Sequence, residues 1–302
     1  MPLEDLNLFK TGYLHLDNAI KGIALGKFTV VAGLEGTGKT TLCLNILNKF
    51  KKTYPDSYIR IYDTENTLSK TRFQEVNADD KDFEFPDESF VYSIENVFKD
   101  IEERTIEIRK KQAGHILILI DSLANLSPEA ELKGEVGDSD FGLRAKLVGQ
   151  GLRKNTMFYK DQDVTVIATN QLRMIMNAMP FSDPYTSPCG KAPYYAAFLH
   201  LILKKKNPPW DESNYFVKAK VLKNKAGSPK DFTYVMNYVN GYNEELSTLH
   251  YLLENKDAIN SRGTYEISKI GFKGREDSFI KEYHQLKDKI FEKFYSEEKE
   301  SK

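Results

Sequence analysis

Through the first two-thirds of the chain, apolar residues gather into short, near-continuous runs rather than strict alternation. The clearest runs are Phe28–Ala32, Tyr58–Tyr62, Ile116–Ile120, Val164–Ala168 and Leu199–Leu203. β-Branched and aliphatic residues without polar alternation predict strands covered on both faces. Between these runs lie stretches of helical periodicity: Leu42–Lys51, Ile94–Lys111 and Leu143–Lys160. Strands alternating with helices predict an α/β domain on a mainly parallel central sheet. Tyr215–Leu222 and Phe232–Val239 alternate more cleanly and are joined by KNKAGSPKD, which predicts an antiparallel pair at one edge.

The texture changes near residue 245. Leu246–Leu253 and Glu276–Tyr295 read as helices, with GTYEISKIGFKG between them as a short turn or hairpin. The expected organisation is a short N-terminal segment at 1–10, a core over 11–245 and a small C-terminal α+β domain at 246–302.

Composition narrows the class. Of 302 residues, 40% are hydrophobic and 29% charged, which suits a buried core and excludes global disorder. Lys+Arg is 43 and Asp+Glu is 44, so the net charge of −1 excludes a protein that is basic all over. It leaves room for local basic stripes, and basic residues do gather at Arg144–Lys154, Arg173, Lys204–Lys206 and Lys218–Lys230. The sequence has no apolar run of membrane-spanning length and no signal pattern at MPLEDLNLFK. Two cysteines, Cys43 and Cys189, give neither a disulfide framework nor metal-ligand spacing. A reducing cytoplasmic compartment is expected. Lysine, asparagine and tyrosine are frequent, a bias that fits an AT-rich genome, a phage's among them.

The chemistry starts at Gly33-Leu34-Glu35-Gly36-Thr37-Gly38-Lys39-Thr40, which fits G-x-x-x-x-G-K-[ST] without deviation. It follows the apolar run FTVVA and precedes the helical TLCLNILNKF, the context the motif needs. Glycines let backbone N–H groups converge on phosphate oxygens, and the helix N-terminus adds positive potential. The predicted nucleotide-binding set is Gly33, Glu35, Gly36, Thr37, Gly38, Lys39, Thr40 and Thr41. Lys39 reaches for the β- and γ-phosphates of ATP, and the Thr40 hydroxyl for Mg²⁺. Asp121 ends the run ILILI and is the second expected Mg²⁺ ligand. Hydrolysis also needs a group that orients water. Glu65, after SYIRIYDT, fits that role or that of an exposed loop carboxylate; Gln171, ending VTVIATN, fits a γ-phosphate donor or a polar strand terminator.

Taken together, these stretches are similar to the RecA recombinase family over nearly the whole length. The matching segments are Thr11-Gly12 with Leu16-Asp17, GLEGTGKTTL, YDTENTL, LILIDSLANLSP, GEVGDSDFGLRAKLVGQGLRK, NQLRM and VLKNKAGSP, in order. The resemblance implies a RecA-like P-loop core and a DNA-dependent ATPase that promotes homologous pairing and strand exchange. It implies single-stranded DNA and homologous double-stranded DNA as partners, and head-to-tail self-association with ATP at the interface. By resemblance, Glu65 is the catalytic glutamate and Gln171 the sensor of the γ-phosphate. Lys223 and Lys225 are implied to reach a neighbour's ATP, in the manner of an arginine finger supplied in trans. DNA contact is implied at Phe141, Lys146 and Arg153 around the first loop and the helix after it, which also carries Arg144. It is implied at Arg173, Met174 and Gly190 around a second loop.

The sequence also departs from the family pattern. Ser69 and Arg72 stand where the family stacks an aromatic residue on adenine, so Arg72 is expected to offer its guanidinium plane instead. The second loop carries Lys191 in place of the usual asparagine, with Pro184 and Pro188. About ten residues precede Thr11, where the family has a polymerisation segment; Leu3, Leu6, Leu8 and Phe9 read as a reduced docking strand or as packing over the sheet. That shortness motivates a rival reading, an accessory ATPase without strand exchange. A helicase motor on the same core is a second rival, disfavoured by the KNK pair and by GEVGDSDFG.

Overall fold

The computed structural model describes residues 6–111, 114–134, 142–175 and 185–295. An 8-stranded sheet organises the chain. In chain order its strands are β1 (Phe28–Gly33), β2 (Tyr58–Asp63), β3 (Ile116–Asp121), β4 (Val164–Gln171), β5 (Leu199–Lys206), β6 (Asn214–Asn224), β7 (Phe232–Asn237) and β8 (Gly241–Asn243). Their spatial order is β8-β7-β6-β5-β1-β4-β3-β2. From β2 to β5 neighbours run parallel, and β6, β7 and β8 continue antiparallel. Every residue of β1 and β3 is buried, as runs without alternation predict.

Helices cover both faces. On one side α1 (Leu14–Ile20) and α2 (Lys39–Thr53) pack with Leu42, Ile46, Leu47 and Phe50 against Ile59, Ile61, Leu117 and Leu119. On the other side lie α3 (Ile94–Lys110) and α4 (Leu143–Asp161). Ser93 caps α3 by accepting from the Asn96 N–H at 3.0 Å. Ile94, Val97, Phe98 and Ile101, spaced for one helical face, then meet Ile118, Ile120 and Leu152.

The edge pair predicted from Tyr215–Leu222 and Phe232–Val239 is present as β6 and β7, and the short β8 lies outside it. Beyond the sheet, α5 (Glu244–Glu254) and α6 (Glu276–Phe294) enclose an apolar cluster of Leu249, Leu252, Phe279, Tyr283 and Ile290. The segment read as a turn or hairpin pairs Thr264–Ile267 with Phe272–Gly274 as a hairpin, and it belongs to a three-stranded antiparallel sheet that opens with Ile259–Ser261. That first strand is exposed at every position, so it carries no apolar pattern by which sequence could reveal it. At the other terminus, Leu8–Phe9 pairs with Ile23–Ala24, and Phe9 is buried edge-on against Phe50, 5.1 Å between ring centroids. These two residues pack within their own chain. Among the described residues no helix is long and apolar enough to cross a membrane.

Candidate functional site

Parallel strands deliver their C-terminal ends to one edge, and that edge collects the predicted nucleotide residues. Gly33 ends β1, Asp63 ends β2, Asp121 ends β3 and Gln171 ends β4. The register sets Gly33 opposite Gln171 and Asp63 opposite Asp121. Gly33 must be glycine: a Cβ there would lie 2.7 Å from both the Leu203 carbonyl oxygen and Thr37 Oγ1. Gly38 sits in the left-handed region at φ +80°, and a Cβ would meet Met236 Cε at 2.7 Å. This bare, tightly bounded backbone leading into α2 is a cradle suited to a nucleotide's phosphates.

The loop is held ready from within. Thr37 Oγ1 donates to the Leu34 carbonyl at 2.8 Å and Lys39 Nζ to the same oxygen at 2.9 Å. Burial lowers the Lys39 pKa, and the Glu65 and Asp121 carboxylates oppose that shift. Glu35 and Gly36 are exposed at the loop's crest. Asp121 is almost wholly buried, which raises its pKa; hydroxyls of Thr169 and Thr40 work the other way. Thr169 Oγ1 donates to Asp121 Oδ1, while Oδ2 is buried with no hydrogen-bond partner among the described residues. A buried carboxylate oxygen with no donor, beside the Thr40 hydroxyl, is an oxygen set that suits Mg²⁺. No group of three or more His, Cys, Asp or Glu side chains suited to a metal occurs among the described residues.

Glu65 follows β2 and accepts from Ser122 Oγ at 2.8 Å, which fixes the carboxylate beside the residue after Asp121. The Ser122 N–H donates to Thr64 Oγ1 at 2.8 Å, and that hydroxyl donates to the Ser122 carbonyl at 2.9 Å. Lys39, Glu65, Asp121 and Gln171 therefore share one edge, and the Leu172 N–H donates to the Gly33 carbonyl at 3.0 Å. Arg72 is committed locally: it pairs with Glu75 at 2.7 Å and donates to Thr41 Oγ1, at the first turn of α2. Ser69 caps the short helix Lys70–Glu75 by accepting from the Arg72 N–H.

Sequence reading missed several residues at this edge. Thr169 and Ser122 orient the two carboxylates, and only the strand ending ATN and the DS pair hinted at them. Tyr215, Met236 and Tyr238 come from β6, β7 and the turn after β7. Lys205 Nζ sits beside the Tyr215 and Tyr238 rings, 4.3 and 4.6 Å from their centroids, and donates to Tyr238 Oη at 2.9 Å. Nothing local in sequence joins this rim to the phosphate loop.

Lys223 and Lys225 lie elsewhere. Lys223 is opposite His200, Asn224 opposite Leu199, and Leu199 opposite Thr29. The Lys225 N–H donates to the Phe198 carbonyl, and the Phe198 N–H to Phe28. Lys225 is thus level with Phe28 and Lys223, through His200, with Val30, two strands to the side and about 16 and 10 Å short of the level of Gly33 along the strand at ~3.3 Å per residue. Lys223 Nζ donates to the Tyr194 and Tyr195 carbonyls at 3.0 and 2.9 Å, and Lys225 is exposed.

The predicted DNA residues divide similarly. Lys146 and Arg153 are exposed on α4, and Arg173 and Met174 are exposed just beyond β4. Gly190 has φ +61° and faces Ala145, where a Cβ would approach to 3.3 Å. Phe141 lies outside the described residues. Arg144 turns inward, donating to the Ala124 carbonyl at 3.0 Å and Ser127 Oγ at 3.2 Å. Two further lysines of the basic clusters are paired as well, Lys154 with Glu102 and Lys218 with Asp231.

The family pattern described as the RecA N-terminal domain matches residues 2–243. The chain is 31% identical to Protein RecA of Campylobacter jejuni (serotype O:23/36, strain 81-176), over 95% of this chain and 84% of that protein. It is 30% identical to Protein RecA of Campylobacter fetus, over 96% and 84%, and 31% identical to that of Nitratiruptor sp., over 95% and 83%.

Proposed function

The chain belongs to the RecA family, and from that premise we propose how its own residues divide the work. The protein is a DNA-dependent ATPase that binds single-stranded DNA and promotes homologous pairing and strand exchange. The family uses ATP and typically Mg²⁺, and DNA binding and filament formation belong to it.

In the proposed division, the N–H groups from Gly33 to Thr41 and the Lys39 ammonium hold the triphosphate. Thr40 and the unpartnered oxygen of Asp121 hold Mg²⁺, with Thr169 fixing the carboxylate's orientation. Bound Mg²⁺ supplies charge neutralisation at the phosphate oxygens. Glu65, oriented by Ser122, positions and polarises the attacking water. Gln171 reports the state of the phosphate end to the second DNA loop. Arg72 stands at the Thr41 side as the base-proximal residue. Lys223 and Lys225 serve a neighbouring protomer's nucleotide in a head-to-tail assembly, since neither is level with the phosphate loop of its own chain. Lys146, Arg153, Arg173 and Met174 meet the single strand, with Phe141 and Gly190 in the two loops, and a homologous duplex is the second DNA partner.

The observation that carries this reading is the join between the two sites. Gly33 opens the phosphate loop, and its carbonyl accepts from Leu172, the residue between Gln171 and Arg173. The test is ATP hydrolysis with and without single-stranded DNA, in the parent and in Glu65→Gln. DNA should stimulate the parent. The substitution should lower hydrolysis by about 10²–10⁴-fold while nucleotide binding persists. Hydrolysis indifferent to both DNA and the substitution would overturn the reading.

A further inference from the structure

Three pieces of chain that are remote in sequence converge just behind the Asp121 carboxylate. The first is the turn that follows it, Ser122 to Ser127. The second is the first turn of α4. Arg144 there extends its guanidinium to the Ala124 carbonyl at 3.0 Å and to Ser127 Oγ at 3.2 Å, and pairs with Glu131 at 3.3 Å. The third is the limb Ser187–Ala192, which returns from the second loop. Asn170, 2% exposed and adjacent to Thr169, donates from Nδ2 to Ser187 Oγ at 2.8 Å. The same hydroxyl accepts from the Cys189 N–H at 3.1 Å, and Cys189 Sγ, wholly buried, reaches the Leu123 carbonyl at 3.3 Å.

These pieces are close-packed. A Cβ on Gly190 would stand 3.3 Å from Ala145, and one on Gly149 would stand 3.3 Å from Ala192. Each loop therefore grips a carbonyl of the same turn, Leu123 from one side and Ala124 from the other, two and three residues beyond Asp121. Thr169 completes the circuit, bonded to Asp121 while its neighbour Asn170 holds Ser187. Close-packed interiors shift between discrete arrangements rather than stretch, so displacing either loop moves this turn and the carboxylate at its head.

We propose that the turn Ser122–Ser127 couples DNA occupancy to hydrolysis, with Arg144, Asn170 and Ser187 as positioning residues. Arg144 ties the first loop's helix to the turn, and the Asn170–Ser187–Cys189 bonds tie the second loop. The inference rests on the reading of these loops as the DNA-contacting elements.

The test uses the full chain with Ser187→Ala, Ser187→Thr, Arg144→Met and the double variant Ser187→Ala/Arg144→Met. Hydrolysis is measured without and with saturating single-stranded oligonucleotide, with oligonucleotide affinity measured in parallel. Basal hydrolysis and DNA affinity should stay near the parent's, while stimulation by DNA falls about fivefold or more in Ser187→Ala and in Arg144→Met. Ser187→Thr keeps the hydroxyl and should restore stimulation. The double variant should lose less than the two single losses combined, because both act through one turn. Parent-like stimulation in both single variants would overturn the proposal, as would equal loss of basal and stimulated rates in Ser187→Ala and Ser187→Thr. A parent that DNA does not stimulate would instead overturn the DNA-dependent reading beneath it.

Discussion

The two ends of β1 differ in completeness. At its C-terminal end the phosphate loop, Lys39, Glu65 and Asp121 are buried or braced by Leu34, Ser122 and Thr169 before any ligand arrives. At its N-terminal end Lys225 is exposed, and Lys223 is parked on two carbonyls of its own chain. The first end is preorganised, so little ordering is left for the moment of binding. The second has charge, and neither lysine has an ion pair among the described residues. The contrast fits the proposed division, in which one chain builds most of a nucleotide site and a neighbour's lysines complete it.

The largest effects come from separating the ends. Lys39→Ala and Lys225→Ala should each reduce DNA-stimulated hydrolysis by about 10²-fold or more. Mixed together, the two inactive variants should recover part of the rate, since one supplies an intact loop and the other intact lysines. A mixture as inactive as its components would break the comparison, and the lysines would then act within their own chain or not at all.

An intermediate effect concerns acid. Burial lowers the His15 pKa to about 3, and burial together with the Lys223 charge lowers that of His200 to about 4, from 6.5. Both are neutral when folded and take up protons when unfolded, so their stabilisation is complete above pH 6.5. It is lost as pH falls toward 4 for His200 and toward 3 for His15, by up to about 1.4 kcal/mol per pH unit for each histidine. Urea midpoints between pH 7 and 5 should show the fall. Lys223→Met should raise the His200 pKa, followed by NMR, and leave His15 unmoved; equal movement of both would show that the charge acts globally.

The smallest effect is on salt dependence. Lys146→Ala and Arg153→Ala should each flatten the slope of log K for single-stranded DNA against log salt by about 0.7. Arg144→Met should leave that slope unchanged, because its guanidinium is spent inside the chain.

Much of this was readable in the sequence because its signals are local. The phosphate loop needs glycines, a lysine and a hydroxyl in consecutive positions, so Gly33–Thr40 declared itself. Strands buried on both faces cannot alternate, so β1–β5 stood out as apolar runs. The edge pair β6–β7 was legible by alternation, whereas the exposed strand Ile259–Ser261 was not. For Glu65, Gln171, Lys223 and Lys225, spacing left an ordinary surface reading open, and only the resemblance to a family gave them roles.

Tertiary structure alone decided the rest, because it depends on which distant segments share a strand end or a buried face. Register put Lys225 level with Phe28 rather than with Gly33. Packing turned Arg144 inward, although its sequence neighbours Lys146 and Arg153 face solvent. It also left one oxygen of Asp121 without a hydrogen-bond partner among the described residues, which composition and motif could not show. The sequence by itself determined the kind of chemistry; the fold determined which groups are already engaged and which still need a partner. The reason is physical: a motif fixes local backbone geometry, but burial and pairing are properties of contacts between segments far apart in the chain.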